Sequence, residues 1–429
     1  MGVRPTRFTA GAAALLSVGL LAACTSASNP GSANPTSNPT GPITIGASLS
    51  ETGQFQADGL AFKAGYLLWE QDVNKHGGLL GRQVKLIILN DNSSPDQVVT
   101  NYQTLFGKDH VDLAFGPFSS LLSAPASAVA ASYGMAFVEG AGGAPSVFDT
   151  TSNQADHNTF DVSLPIADEM VPFVNWVLNT LPANERPKTA AYPMAQDPFA
   201  DPPVQLAQTL LANAGIRTVY SNIFAEDGQY KTPAQQVAAT GAQLVVLGST
   251  DVPTVQQFMQ AFEQAHYTPK FFIAAAGPDQ GQAFTSAVGT GNADGMMVPD
   301  GWYPGYPNAT SEQLVNEYVK EYGGPKSGVN SDVAEAYSVG EVLQQAVDAT
   351  HGTDNAKIIA YLHSGVTLSS VQGPVRFDAL GENGAAAAFV FQWQNGQFVQ
   401  VLPTPGAGSS GLLWPKPAWT NAGGTSPSG

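Results

Sequence analysis

The sequence predicts an α/β protein built from two doubly wound lobes, each with a parallel sheet. From residue 43 onward, short apolar runs alternate with longer amphipathic runs, which is the pattern of parallel strands covered by helices. The chain has 429 residues, of which 43% are hydrophobic, and it is too long for one ordinary domain. The alternation also restarts after an extended, polar stretch around residues 160–165. We therefore expect two similar lobes.

The first series of elements begins with a strand at 43–49 and a helix at 58–74. Apolar residues recur at helical spacing along that helix, and Gly77-Gly78 ends it. Ser94 before Pro95 predicts the start of the next helix, since serine is a good N-cap and proline fits the first helical position. A third helix begins near Ser120. Further strands are predicted at 84–89, 111–115 and 135–138.

The second series begins with a helix at 166–179. Its predicted strands are 189–192, 218–223, 244–248 and 271–275, and its predicted helices are 204–214, 233–240 and 253–265. Another crossing segment at 296–299 and helices at 311–322 and 332–350 follow. Apolar runs at 389–393 and 398–402 flank Asn395-Gly396, which predicts a β-hairpin. Residues 404–429 form a Gly-, Ser- and Pro-rich tail in which Trp414 and Trp419 are the large side chains.

The amino terminus has the pattern of a secretory signal. Two arginines precede an apolar run at 10–23, which is shorter than the roughly twenty residues that a helix needs to cross a bilayer. Ala22 and Ala23 stand before Cys24, as in the bacterial lipobox, so we expect residues 1–23 to be a lipoprotein signal peptide and Cys24 to be lipidated. The alternative is an ordinary signal peptide with a chance cysteine. Residues 24–42 are polar and small, and predict a flexible tether to the bacterial cell membrane.

The charge balance excludes several classes of protein. The 17 Lys and Arg residues face 34 Asp and Glu, a formal net charge of -17, which leaves no basic surface for nucleic acid. A single cysteine excludes an internal disulfide and a cysteine-rich metal site. No GxSxG, HExxH, Walker or CxxC motif is present, and the six histidines never fall at metal-ligand spacing. Gly140-Ala141-Gly142-Gly143 resembles a dinucleotide loop, but Pro145 stands where a third glycine is needed. We expect no cofactor, no metal and no enzymatic activity.

The loops after the predicted strands indicate the chemistry of the ligand, because ligands bind at the carboxyl ends of parallel strands. Seven such loops contain no Lys or Arg, yet they contain aromatic and acidic side chains. A polyanion would meet no cation there, so we expect a ligand of net charge zero or +1. Ser120 lies where a strand turns into a helix, and its hydroxyl and the following N–H groups could hold a carboxylate. The alternative is that Ser120 is a helix cap.

Several motifs in the stretch from Ile43 to Leu402 resemble the type I periplasmic binding proteins, specifically the branched-chain amino acid binding family of ABC transporters. The matching segments are ITIG at 43–46, ETG at 51–53, NKHGGLLGR at 74–82, FGP at 115–117 and GPVRFD at 373–378. The resemblance implies two lobes joined by three crossovers that close on a ligand. It implies a first lobe of residues 43–163 plus 300–387 and a second of 164–299 plus 388–403.

The resemblance also implies ligand contacts. It assigns a serine contact to Ser120, backbone contacts to Ala141 and Gly143, and an aromatic contact to Phe199. The chain departs from the leucine-binding members of that family at two places. They have a threonine where this chain has Gly143. They have a carboxylate for the ligand's ammonium group near the position of Ala276, whereas the nearest acid in this chain is Asp279. We therefore expect the set of contacts that holds an amino-acid ligand in those relatives to be incomplete here, and an amide, a urea-like compound or an aromatic acid is the alternative ligand that the resemblance implies. The candidate ligand-binding residues are Phe55, Ser119, Ser120, Ala141, Gly142, Gly143, Gln196, Phe199, Thr250, Asp279 and Trp302.

The predicted function is an extracytoplasmic, lipid-anchored solute-binding protein. It would capture a small polar or amphipathic ligand, such as an amino acid, an amide or a related compound, and deliver it to an ABC transporter permease. A bilobed sensor that presents its closed form to a signalling partner is the alternative. A divergent enzyme is the third hypothesis.

Overall fold

The computed structural model describes residues 41–148, 158–225, 228–406 and 408–420. The predicted signal peptide, Cys24, nearly all of the predicted tether and the last nine residues lie outside the described residues. None of the helices within these ranges is both long and apolar enough to cross a membrane.

The first sheet has five parallel strands in the order β2-β1-β3-β4-β5. These strands are β1 Ile43–Leu49, β2 Val84–Asn90, β3 Leu113–Phe115, β4 Phe137–Glu139 and β5 Thr159–Asp161. The helices between them are α1 Gln56–Lys75, α2 Pro95–Gly107 and α3 Ser120–Ser132. Apolar residues of α2 and α3 pack on one face of the sheet. On the other face, α1 packs with helices from a later part of the chain.

The second sheet has seven strands in the order β14-β13-β10-β9-β8-β6-β7. Its parallel strands are β6 Thr189–Ala195, β7 Arg217–Phe224, β8 Leu244–Leu247, β9 Phe271–Ala274 and β10 Met296–Asp300. The helices of this region are α4 Val171–Asn175, α5 Asp201–Asn213, α6 Lys231–Thr240, α7 Val252–Gln264, α8 Gly281–Val288 and α9 Thr290–Ala293. The antiparallel pair β13 Phe389–Gln394 and β14 Gln397–Leu402 extends the sheet beyond β10.

The chain passes between the two sheets three times. It leaves the first sheet after Asp161, returns from β10 to place Trp302 in the first apolar core, and crosses again between Phe377 and Phe389. The returning segment contains α10 Ala309–Tyr322, α11 Ser331–Thr350, α12 Asn355–Leu362 and the small hairpin β11 Leu368–Ser370 and β12 Gly373–Val375. We call the first sheet with α1–α3 and α10–α12 the first lobe, and the second sheet with α4–α9 the second lobe. The predicted fold class is confirmed.

Local signals in the sequence explain several element boundaries. Ser94 caps α2, because its hydroxyl accepts a hydrogen bond from the N–H of Gln97 and Pro95 occupies the first helical position. Asn395 and Gly396 both have positive φ angles, 52° and 73°, as the tight hairpin turn requires. Both predictions are confirmed.

The helix predicted at 166–179 is wrong as a single element. The structure has a 3-10 turn at Ile166–Asp168, then α4, then a π-helical turn at Trp176–Thr180. Pro172 provides the reason, since proline has no N–H and is tolerated only in the first turn of a helix. The regular helix therefore begins at Val171. Strand β5, helices α8, α9 and α12 and the hairpin β11-β12 were not predicted.

The segment 408–420 packs along the second lobe. The ring of Trp414 contacts those of Trp176 and Phe271, with centroids 6.3 and 6.0 Å apart. The buried ammonium of Lys416 donates hydrogen bonds to the backbone oxygens of Asn292 and Asp294, at 2.9 and 2.8 Å. This part of the tail therefore belongs to the packed structure.

We expect Trp414→Ala to lower the free energy of unfolding by about 2 kcal/mol, because it removes a half-buried aromatic contact. Chemical denaturation measures this change. Leu413→Ala is the matched control, since that neighbouring side chain is exposed and should change stability by less than about 0.5 kcal/mol. Equal stability of the two variants would show that the segment does not contribute to the fold.

Candidate ligand-binding site

A cavity of about 90 Å³ lies between the two lobes, where strands β4, β5, β9 and β10 end. Both lobes contribute to its wall. The residues that line it are Asp58, Phe118, Ser119, Gly140, Ala141, Gly143, Asp161, Ser163, Leu164, Ile166, Glu169, Phe199, Thr250, Ala275, Ala276, Asp279, Gln280, Pro299, Asp300, Gly301, Ser331, Asp332, Glu335 and Gln372. The position at the carboxyl ends of parallel strands is the expected one for a ligand site.

Six of the residues predicted from the sequence line this cavity. They are Ser119, Ala141, Gly143, Phe199, Thr250 and Asp279. The hydroxyl of Ser119 has no hydrogen-bond partner among the described residues, although the residue is 94% buried. A buried hydroxyl without a partner is costly, and a ligand in the cavity would provide one.

The other five predicted residues are not among those that line the cavity. Phe55 is fully buried and packs edge-on against Phe118, with ring centroids 5.7 Å apart. Trp302 is buried in the first lobe, where its indole N–H donates to the hydroxyl of Ser311 at 2.9 Å. Gln196 is exposed. These three side chains have packing or solvent environments in place of the expected ligand contact.

Ser120 and Gly142 lie behind the cavity wall. The N–H of Ala144 donates to the hydroxyl of Ser120 at 3.2 Å, so this serine stabilises the loop after β4. Helix α3 begins at Ser120, and the structure places the cap position at Ser119 without a side-chain cap bond. Neither hydroxyl acts as the helix cap that the sequence left open as an alternative.

Seven carboxyl-bearing side chains surround the cavity, and we call this set the acidic lining. Its members are Asp58, Asp161, Glu169, Asp279, Asp300, Asp332 and Glu335. Among the described residues that line the cavity, none is Lys, Arg or His. An uncompensated group of buried carboxyls is unfavourable when ionised, so the site favours either protons or a cationic ligand.

Of these seven acids, Asp279 is the one named as a candidate ligand-binding residue from the sequence, and the other six were not. Asp332 lies in the first turn of α11 and Glu335 lies three residues later, so the two share a helix face. Asp161 and Asp300 are the last residues of β5 and β10. The position of Asp300 directly after the apolar run of β10 was the signal that could have identified it.

Burial raises the pKa of every member of the acidic lining. It raises the pKa of Asp58 to about 8, with a further contribution from the charge of Asp279. The pKa of Asp161 rises to about 7, chiefly because of burial. Burial, and then Asp279, raises the pKa of Asp300 to about 7. The pKa values of Glu169, Asp332 and Glu335 lie well above the ordinary value, and that of Asp279 is raised, with burial as the main cause in each case.

One amide group connects the carboxyls of the two lobes. The Nε2 of Gln280 lies 2.6 Å from Asp58, 3.1 Å from Asp279 and 3.3 Å from Asp332. Asn330 donates from Nδ2 to Asp332 at 3.0 Å and to Oε1 of Gln280 at 3.2 Å. An amide nitrogen has two hydrogens, so Gln280 cannot donate fully to three carboxyls at once. The carboxylate oxygens that Gln280 does not reach can accept a hydrogen bond from a ligand in the cavity, or two carboxyls can share a proton.

The loop Gly140-Ala141-Gly142-Gly143 encloses a carboxyl group of the protein itself. The N–H groups of Ala141 and Gly142 both donate to Oε2 of Glu139, the former at 3.0 Å. A Cβ on Gly142 would lie 2.5 Å from this oxygen, so glycine is required there. The glycine pattern that resembles a dinucleotide loop therefore accommodates Glu139.

The described residues also contain no group of three His, Cys, Asp or Glu side chains arranged to hold a metal ion.

We expect the ligand-free protein to lose stability as the pH rises from about 4 to about 8. The pKa values of the buried carboxyls are raised above their unfolded values, so the folded state binds more protons in this window and protonation stabilises it. The melting temperature should fall by about 5 °C or more across the window. Asp300→Asn should reduce that fall, whereas Asp109→Asn, at an exposed position, should not. A melting temperature that increases with pH would contradict the assigned environments.

Comparison with known proteins places the chain among solute-binding proteins. The family described as "Periplasmic binding protein" matches residues 42–397. The chain is 21% identical over 359 residues to the Leu/Ile/Val-binding protein homolog 3 of Brucella melitensis, covering 83% of this chain and 93% of that protein. It is 22% identical over 372 residues to an amino acid binding protein of Pseudomonas aeruginosa, covering 84% of this chain and 92% of that protein.

Solved structures share the fold. The leucine-binding protein LivK of Thermotoga maritima superimposes with a TM-score of 0.72 at 16% identity, covering 83% of this chain and 97% of that one. A solute-binding protein of R. palustris, solved in complex with benzoate, gives 0.70 at 16% identity, with coverages of 89% and 98%. LivJ of Streptococcus pneumoniae, solved with isoleucine, gives 0.69 at 17% identity, with coverages of 87% and 100%. These similarities establish a bilobed fold shared by proteins with different ligands.

Proposed function

This chain belongs to the periplasmic binding protein family, and from that premise we propose that it captures a small solute outside the cytoplasm and delivers it to an ABC transporter permease. The observation that carries the proposal is the cavity between the lobes, whose wall comes from both of them. A ligand that contacts both lobes favours the closed state over the open one, because those contacts exist together only after closure. The closed form is then the species that a permease can recognise.

The proposed ligand contacts are the predicted residues on the cavity wall. Ser119 offers a hydroxyl without a partner, and Phe199 offers an aromatic surface from the second lobe. Thr250 and Asp279 belong to the second lobe, as Phe199 does, and Ala141 and Gly143 belong to the first. This arrangement supports the capture of a small ligand by side chains of both lobes.

Capture and delivery are tested together by blocking the cavity. Cells that lack this chain should lose uptake of a solute from a mixture of isotope-labelled amino acids, amides and amines, read by mass spectrometry. The full chain should restore uptake, and Ala276→Phe should not, because a phenyl ring at this wall position fills the cavity. Ala265→Phe is the matched control at an exposed position and should restore uptake.

The outcome separates the proposal from its alternatives. If Ala276→Phe abolishes a signalling response while uptake is unaffected, the protein is a sensor rather than a transport receptor. If the purified protein converts a labelled compound to a new product, it is an enzyme. Full restoration of uptake by Ala276→Phe would show that the cavity is not the capture site.

We further propose that Cys24 attaches the protein to the outer face of the cell membrane through a lipid. The proposal depends on the apolar run that ends in Ala22-Ala23-Cys24, since this thiol is the chain's one site for a thioether-linked lipid. Cys24→Ala should abolish incorporation of a labelled fatty acid and leave the protein soluble or unprocessed. Ser26→Ala is the matched control and should retain the label. A processed, lipid-labelled Cys24→Ala protein would refute lipidation at this position.

A further inference from the structure

We infer that the captured ligand is a small organic diamine, a chain with an ammonium group at each end and no carboxylate. This inference rests on the proposed function, because it names the chemical class of the solute that the receptor captures. It starts from the acidic lining, to which both lobes contribute and in which the described wall residues include no cationic side chain. A buried group of carboxyls is stabilised when a cation replaces the water that it has lost.

The carboxyls come from several segments of the chain rather than from one. Asp58, Asp279 and Asp332 lie together around Gln280. Asp161 lies against a different segment, the loop at 140–143, where a Cβ on Gly143 would be 2.9 Å from its Oδ2. One ammonium group would compensate one charge on a wall that holds seven carboxyls. Two ammonium groups joined by a short chain compensate more of them, so the acidic lining favours a dication over the ligand of charge zero or +1 expected from the strand-end loops.

Several donors that could hold a ligand carboxylate are already engaged within the protein. The N–H groups of Ala141 and Gly142 donate to Glu139, and the hydroxyl of Ser163 donates to the backbone oxygen of Gly140 at 2.7 Å. Gln372 donates to Ser163 at 3.3 Å, and the amide of Gln280 serves three carboxyls. A ligand carboxylate would meet carboxyls without a compensating cation, and like charges at short distance repel one another.

The rest of the wall suits the middle and the ends of such a chain. Leu164, Ile166 and Ala275 provide apolar surface for methylene groups. The aromatic rings of Phe118 and Phe199 can contact an ammonium group through their faces. Ser119 supplies the independent sign of a missing ligand, since its hydroxyl is 94% buried on this wall and has no partner among the described residues. A hydroxyl oxygen accepts a hydrogen bond from an ammonium group.

A series of ligands with the same carbon chain tests the inference. Isothermal titration calorimetry on the purified full chain at neutral pH would compare 1,4-diaminobutane, 4-aminobutanoate, butanedioate and 1,4-butanediol, together with the three- and five-carbon diamines and leucine. We expect the best diamine to bind at least about 100-fold more tightly than 4-aminobutanoate, butanediol or leucine. Butanedioate should not bind.

Charge-removing variants locate the site of the effect. Asp300→Asn and Glu335→Gln should each weaken binding of the diamine by at least about 10-fold, because each removes a carboxyl from the wall. Asp109→Asn makes the same change in net charge at an exposed position and should bind as the unmodified protein does. The ligand series on the unmodified protein needs no variant, so it remains decisive even if a substitution prevents folding.

Binding should also release protons at neutral pH. The groups that face the ligand are the seven carboxyls of the acidic lining. Three further carboxyls lie close to them. In addition to burial, Asp251 raises the pKa of Asp58, Glu382 raises the pKa of Asp161, and Asp161 raises the pKa of Glu139. A dication favours the ionised form of these carboxyls, so protons leave as it binds and affinity increases with pH below about 8. Calorimetry in buffers of different ionisation enthalpy measures the number of protons released.

The possible results distinguish this inference from the proposed function. Tight binding of leucine, 4-aminobutanoate or the diol with no stronger binding of any diamine overturns the diamine inference and leaves a solute receptor in place. If Asp109→Asn weakens binding of a diamine as much as Asp300→Asn does, the diamine inference is also overturned, because the loss of affinity would then arise from the change in net charge. If no compound in the series binds, the diamine inference is refuted, and the uptake experiment with Ala276→Phe decides the receptor function separately.

Discussion

The burial of seven carboxyl groups around one cavity is the constraint on which the rest of the site depends. Each group would prefer water or a cation, and among the described residues of the wall no side chain provides a positive charge. The protein instead distributes neutral donors among the carboxyls, with Gln280 and Asn330 as the main ones. These donors are too few for all the carboxyls, so protonation is favoured at those that lack a donor. The raised pKa values of Asp58 and Asp300 reflect the unfavourable free energy of ionising a buried carboxyl. The proposed ligand preference, the expected pH dependence and the proposed closure therefore have a common origin.

Glu139 extends the same constraint into the scaffold. It is fully buried at the end of β4, and two backbone N–H groups of the following loop donate to it. The close approach of this carboxyl requires glycine at 142. Glu139 therefore determines both the glycine in the loop and the direction in which the N–H groups of Ala141 and Gly142 donate. A sequence pattern that resembles a phosphate-binding loop thus has the opposite electrostatic consequence, since an internal anion occupies the donors that an external anion would need.

The fold could be predicted because its signals are local. Alternating apolar runs, the Ser94-Pro95 cap and the Asn395-Gly396 turn act within a few residues, and the structure has each of them at the expected place. The helix at 166–179 was mispredicted because apolar periodicity continues across Pro172 while the backbone hydrogen bonding cannot. Short elements such as β5 and β12 have too few residues to show a period.

The site could be predicted only in part, because its chemistry depends on contacts between distant segments. Phe55 and Phe118 both follow a strand and are both aromatic, yet packing buries the former and leaves the latter on the cavity wall. Asp332 and Glu335 enter the site from α11, a helix that follows β10 of the second sheet in the chain and packs against α1 of the first lobe. No short pattern relates these acids to Asp58 or Asp279. Their proximity is visible only once the returning segment is folded.

The contact through Gln280 explains how ligand chemistry and lobe closure are connected. This residue precedes α8 of the second lobe, whereas Asp58 and Asp332 belong to α1 and α11 of the first. In the proposed receptor, closing the lobes would bring Asp58, Asp279 and Asp332 around one amide, so closure would increase their mutual repulsion unless protons or a cation accompanied it. A neutral ligand would leave that repulsion in place, whereas a cationic ligand converts it into attraction between ligand and both lobes. Under the proposed function, the electrostatic energy that disfavours closure of the empty site is therefore the same energy that makes closure selective for a cation.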